Sequence, residues 1–299
     1  MNKMMGNKKV IALFTLPTLI LFTVIVFYPI LQTVYRSFFD WNGLTTPIFT
    51  GLENYKKLFA DDLFYESMKN GLIFAVILVV FQVGLATIFT MILMNSRIRG
   101  KRFFRSAYFI PAVLSVTVVC QLWGALYNPE WGLFNKIFEL FGISYRQNWL
   151  SNMKFAIVAV AFVNVWQYAG YQLCIIYSSA KSIPEEYMEA AKIDGANQLQ
   201  LNRYILLPLL KDTYKMSFIF AITGGLNAFA HMNILTKGGP GTSTYTLTYM
   251  TFRNAFTVGK YGYGCTSAVL LVVQCLAATI LINWLFRNKD GQVFEGGAK

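Results

Sequence analysis

Residues 182–208 read SIPEEYMEAAKIDGANQLQLNRYILLP, a polar helical island in a chain that is otherwise dominated by apolar runs. Ser182 followed by Glu185 has the spacing of a capping box, Pro184 is tolerated in a first helical turn, and Glu185 and Glu186 suit the positive end of a helix. Ile183, Tyr187, Ala190 and Ala191 fall on one face and Glu185, Glu189 and Lys192 on another, so the spacing predicts a short amphipathic helix. Gly195 supplies its stop, because glycine enters the left-handed region without a Cβ clash. A second helix is expected next, with Leu201, Tyr204 and Ile205 on one stripe, running through Leu207 and Pro208 into the following apolar run.

The rest of the chain explains why such an island stands out. Hydrophobic residues make up 56% of the sequence and charged residues 13%, and the mean hydropathy is positive, a balance that excludes a soluble domain of this length. A membrane span takes about 20 apolar residues to cross roughly 30 Å of hydrocarbon. Six runs qualify, near residues 10–30, 71–94, 107–127, 155–177, 207–235 and 265–286. The expected fold is therefore an all-α membrane protein, one transmembrane domain over residues 1–299 with a polar loop, 182–208, between its fourth and fifth spans. The fifth run exceeds one straight span, so its first turns are assigned to the loop helix. The first run is too long for a signal-peptide core and lacks a small-residue cleavage site, and reads as an uncleaved helix. Cys120, Cys174, Cys265 and Cys275 lie in or beside the spans without CxxC spacing, as small core residues do rather than metal ligands.

The net charge of +12 points to membrane topology rather than to nucleic acid, because of where it sits. Lys8 and Lys9 precede the first run, and Arg97, Arg99, Lys101, Arg102 and Arg105 form an acid-free cluster after the second. The positive-inside rule makes both cytoplasmic, and six spans then put both termini and the 182–208 loop on that side of a plasma membrane. Acidic residues gather in the intervening loops, among them Asp61, Asp62, Glu66 and Glu130.

Polar residues inside the spans mark where a solute could pass. The fourth run carries Asn164, Gln167, Tyr168, Tyr171 and Gln172, and the fifth carries Asn227 and the sole histidine, His231. Buried amides are costly unless paired or facing water, and amides mixed with aromatic rings suit a sugar, whose hydroxyls need partners while its ring faces stack. Asn164, Gln167, Tyr168, Tyr171, Asn227 and His231 are the substrate-path candidates, with His231 ranked below Asn227 because a lone histidine in a bundle is more often satisfied structurally. Trp131 and Trp149 are either interfacial belt residues or contacts for an external partner. Pro111 is expected to kink the third run. The segment 49–70 has Leu58, Phe59, Leu63 and Phe64 at helical spacing and is expected along the membrane surface, and the Thr and Tyr residues after Gly238-Gly239-Pro240-Gly241 alternate enough for a short strand.

The run Glu189-Ala190-Ala191, three residues, Gly195, nine residues, Ile205, one residue, Leu207-Pro208 resembles the EAA loop of ABC importer permeases. Further resemblances cover nearly the whole chain: GLENY near residue 54, RFFRSAYFIP at the third run, and TKGGP, Ala255-Phe256 and Tyr261-Gly262 near the end. These are similar to the carbohydrate-uptake branch of that family, and to its MalF-type half more than its MalG-type half. The resemblance implies that Glu189, Ala190, Ala191, Gly195, Ile205, Leu207 and Pro208 form the coupling helix that docks on cytoplasmic ATPase subunits. It implies a second, MalG-type permease subunit, an extracellular or periplasmic solute-binding protein, a sugar substrate and a bacterial or archaeal plasma membrane. It implies no catalytic residue, metal or cofactor on this chain, with ATP and Mg held by the ATPase partners, and the sequence has no Walker GxxxxGK[ST] motif. The alternative classes are a secondary transporter or channel, which would place ionisable residues at mid-span, and a membrane enzyme, which would need more than one histidine without a nearby carboxylate.

Overall fold

The computed structural model describes residues 8–95, 98–143 and 145–287, so Arg97 of the basic cluster lies outside the described residues, as do the outermost residues at both ends. Among the described residues, five helices are long and apolar enough to cross a membrane: Val10–Arg36, Asp62–Met94, Ala156–Lys181, Lys211–Leu235 and Tyr261–Leu285. A bent pair, Lys101–Val113 and Val116–Leu126, brings the number to six when it is counted as one span. The all-α membrane class expected from composition is the class observed, with one two-residue antiparallel pairing, Phe39–Asp40 with Ile48–Phe49, among the described residues. Contacts group the chain into two compact units.

The first unit takes the chain up to Phe64 and Met250–Val272. Its organising side chain is Asn54 of the GLENY segment, whose amide donates to the carbonyls of Ser37 and Phe39, both at 2.9 Å. Ser37 closes the helix that ends at Arg36, so Asn54 satisfies a carbonyl that the helix end leaves orphaned. Gly262 of the YGYG segment packs against the same turn: its N–H donates to Trp41 at 3.1 Å, and any Cβ there would collide with the Phe39 carbonyl oxygen. Leu58 and Phe64 of the expected apolar stripe are buried in protein and Leu63 is half-buried, whereas Phe59 stays exposed.

The second unit comprises Tyr65–Tyr249 and the chain from Val273. Helix Ala156–Lys181 is its centre, with 67% of its most apolar window buried. Its small residues Ala156, Ala159, Ala161, Ala169 and Ala180 let neighbouring helices approach closely, the usual solution where lipid offers no hydrophobic drive between helices. Phe74, Leu78, Leu173, Ile176, Leu206 and Met232 fill the core around it.

Two helices of this unit are interrupted. The third apolar run does not kink at Pro111, which stays inside Lys101–Val113, but breaks at Leu114 and Ser115 and turns by 98°. The fifth run is helical over Lys211–Leu226 and again over Ala230–Leu235, with an open stretch between them at Asn227 to Phe229. Among the described residues no strand forms after Gly241; the threonines bond locally, Thr236 to Thr244 at 2.7 Å and Thr246 to Thr248 at 2.8 Å.

Candidate functional site

The polar loop folds as two short helices joined by a tight turn. Helix Glu185–Ile193 has Glu185 and Glu186 in its first turn and Lys192 in its last, which complements its dipole at both ends. The expected Ser182–Glu185 capping box does not form, because Ser182 caps the end of Ala156–Lys181 and spends its hydroxyl on Ser179 at 2.7 Å. The capping box lies one helix later: Asn197 accepts from the Gln200 N–H at 2.9 Å, and Gln200 accepts from the Asn197 N–H at 2.8 Å. Between the helices Gly195 sits at φ +83°, its N–H bonded to Lys192 and that of Ala196 to Ala191. These two bonds make a Schellman motif, which needs a left-handed residue at that position.

A π-helical turn at Asn202–Leu206 shifts the register of the second helix. Leu201, Leu206 and Leu210 therefore face inward, while Tyr204 is exposed and Ile205 half-buried, in place of the expected Leu201, Tyr204 and Ile205 stripe. In the first helix Met188 and the preceding Ile183 pack on the core, and Ala191 is half-buried. Tyr187, Glu189 and Ala190 are exposed, and Ile193, at 86% exposure, projects with Leu199 beyond them. Asp194, Gly195, Ala196, Gln200, Tyr204 and Ile205 line a notch of about 260 Å³ at the turn. Leu207 is half-buried and Pro208 exposed where the loop runs on toward the next span.

The second candidate site is a cavity of about 530 Å³ beside the two interrupted helices. Val116, just past one break, and Asn227 to His231, across the other, contribute to its lining. Aromatic wall comes from Tyr168, Tyr171, Phe220 and Phe229, and polar wall from Gln82, Asn164, Gln172, Asn227 and His231.

Through this lining runs a chain of hydrogen bonds with one consistent direction. Gln82 Nε2 donates to Asn164 Oδ1 at 2.8 Å, Asn164 Nδ2 lies 3.3 Å from His231 Nδ1, His231 Nε2 lies 3.0 Å from Gln167 Oε1, and Gln167 Nε2 donates to the Leu114 carbonyl at 3.1 Å. Each amide offers its nitrogen to the next acceptor, which assigns the proton to Nε2 of a neutral imidazole. Leu114 stands at the break in the third run, so its carbonyl has lost the helical partner that Gln167 replaces.

The six substrate-path candidates thus occupy different positions. Asn164, Tyr168, Tyr171, Asn227 and His231 line the cavity, and Gln167, with 0% exposure, reaches it only through His231. Asn227 donates to the Thr223 carbonyl at 2.8 Å and approaches Cys275 Sγ at 3.5 Å. Gln172, which is not among these six candidates, also lines the cavity, is 3% exposed, and its Oε1 has no hydrogen-bond partner among the described residues. The spacing Asn164, Tyr168, Gln172, at i, i+4 and i+8, was the signal that puts it on the cavity face.

Residues 9–290 match the family model described as "Binding-protein-dependent transport system inner membrane component". The probable ABC transporter permease protein YurN of Bacillus subtilis is 34% identical over 285 residues, spanning 94% of this chain and 97% of that one. The multiple sugar-binding transport system permease protein MsmF of Streptococcus mutans is 35% identical over 262 residues, 87% of this chain and 89% of that one. In fold, the chain is similar to a subunit in the crystal structure of a bacterial ABC transporter involved in the import of alginate, with a TM-score of 0.80, 19% identity, and coverage of 93% of this chain and 95% of that one. A match across the whole membrane region, joined to full-length likeness to known permeases, makes this chain a member of the binding-protein-dependent transport system inner membrane component family.

Proposed function

We propose that this chain is one of two membrane subunits of an ATP-driven, binding-protein-dependent importer of carbohydrate, an oligosaccharide by preference. The observation that carries the substrate class is the cavity. Its rings offer stacking faces, and Gln172 presents a buried acceptor that no donor among the described residues satisfies, so a solute hydroxyl would relieve the cost of its burial. The sugar-transport role carried in the name of MsmF supports the same reading.

In this reading the chain hydrolyses nothing. ATP and Mg bind the cytoplasmic ATPase subunits, which dock on the exposed edge of helix Glu185–Ile193 and on the notch at Gly195. A second, MalG-type permease supplies the other half of the path, and an external binding protein delivers the sugar. The basic residues Arg99 to Arg105 support a cytoplasmic position for the docking loop and for both termini. The test is uptake of radiolabelled oligosaccharides by cells expressing the chain with its co-purifying binding protein. Saturable, ATP-dependent uptake of the sugar retained by that binding protein is expected, and retention of a peptide or an amino acid instead would overturn the carbohydrate assignment.

A further inference from the structure

An apolar groove of about 440 Å³ lies between helices Asp62–Met94, Lys101–Val113 and Ala156–Lys181, apart from the transport cavity. Its walls include Phe89, Ile92, Leu93, Phe104, Tyr108 and Leu173. Leu93 and Leu173 are buried at its back, whereas Ile92 and Phe104 remain about half exposed at its mouth. The groove therefore has a deep hydrocarbon floor and an open side, on helices apolar enough to lie within a bilayer.

One end of the groove is strongly cationic. Ile98 and Phe104 of the lining alternate with Arg99, Lys101, Arg102 and Arg105, and no acidic residue occurs in the sequence between Glu66 and Glu130. Among the described residues, Arg99, Lys101 and Arg102 take part in no ion pair. Lys101 and Arg102 also open helix Lys101–Val113, whose first turn carries no acid against the positive end of its dipole, and Lys101 lies in an adjoining pocket with Glu185 and Glu189. Cations at that end repel the dipole, so an anion placed there is attracted by both.

We propose that this groove is a binding site for an anionic glycerophospholipid of the adjoining leaflet, with an acyl chain along Ile92, Phe104 and Tyr108 and the phosphate against Arg99, Arg102 and Arg105. The joint geometry selects that occupant: a free phosphate would use only the charged end, and a neutral lipid only the apolar walls. A basic cluster at the end of membrane helices sits at headgroup depth, where anionic lipid is the most abundant counter-charge.

The test uses the full chain, purified in detergent with the subunits that accompany it, and counts bound lipid by native mass spectrometry during titration with phosphatidylglycerol or phosphatidylcholine of matched acyl chains. Phosphatidylglycerol should half-saturate at a concentration at least fivefold lower. Arg102→Gln with Arg105→Gln should abolish that preference, and Ala107→Trp, which fills the groove, should weaken both lipids. Equal retention of the two lipids by the unaltered chain would overturn the proposal, and this comparison needs no variant to fold. Displacement of phosphatidylglycerol by millimolar inorganic phosphate would overturn it, as would cross-linking of Ala107→Cys to another subunit in native membranes, since protein would then fill the groove.

Discussion

The side-chain amide of Gln167 donates to the main-chain carbonyl of Leu114 at 3.1 Å, at the point where the third apolar run turns by 98°. A helix broken inside a membrane exposes backbone groups that hydrocarbon cannot satisfy. Gln167 supplies the missing partner and passes the connection on through His231 and Asn164 to Gln82, so the break is held by three other helical segments.

Gln167→Leu should therefore act on the fold before it acts on transport. It leaves the Leu114 carbonyl and the His231 Nε2 proton without partners, at about 1–3 kcal/mol for each buried group. Thermal unfolding of the purified chain should show a clear loss of stability, and uptake per cell should fall in proportion to the folded protein that remains. Unchanged stability would remove Gln167 from its role at the break.

Gln172→Leu should show the opposite pattern. The Oε1 it removes has no partner among the described residues, so stability should hold or rise slightly. A lost hydrogen bond to a substrate hydroxyl, about 1 kcal/mol, corresponds to a roughly fivefold rise in the half-saturating sugar concentration for transport. An unchanged concentration dependence would show that Gln172 does not meet the substrate.

Gly195→Val should separate assembly from transport. An added Cβ at Gly195 meets nothing within 4 Å, so the penalty comes from its φ of +83° and from whatever docks on the notch. A β-branched residue in that region costs about 1–2 kcal/mol, more than the loop can absorb without changing the angle between its helices. Uptake should fall below about a tenth of the unaltered level, with the permease pair still co-purifying. Glu189→Lys should instead reduce co-purification of the ATPase subunits, and normal recovery of them would count against docking at this exposed edge.

Gly262→Ala should weaken the first unit. The new methyl group would press on the Phe39 carbonyl, beside the Asn54 amide that lies 3.3 Å from the same position. Overpacking of this kind costs about 1–3 kcal/mol. Faster limited proteolysis in the 37–60 segment of the variant is the expected readout, and an unaltered cleavage rate would show that the turn adapts.

By itself, the sequence determined the helical membrane class, the loop over residues 182–208 and the position of its turn, because apolar run length, charge placement and glycine backbone preference are local properties of the chain. It also placed polar side chains along the fourth run. Which of them are occupied by protein was settled only by the tertiary structure. Gln167 and Gln172 are the same residue type on one helix, yet Gln167 finds partners 53 and 64 residues away while the Gln172 oxygen finds none among the described residues. The break at Leu114 and the meeting of Asn54 with the Gly262 turn belong to the same class. Each depends on groups far apart in the chain competing for one backbone carbonyl or one packing site, and periodicity along a single helix carries no record of that competition.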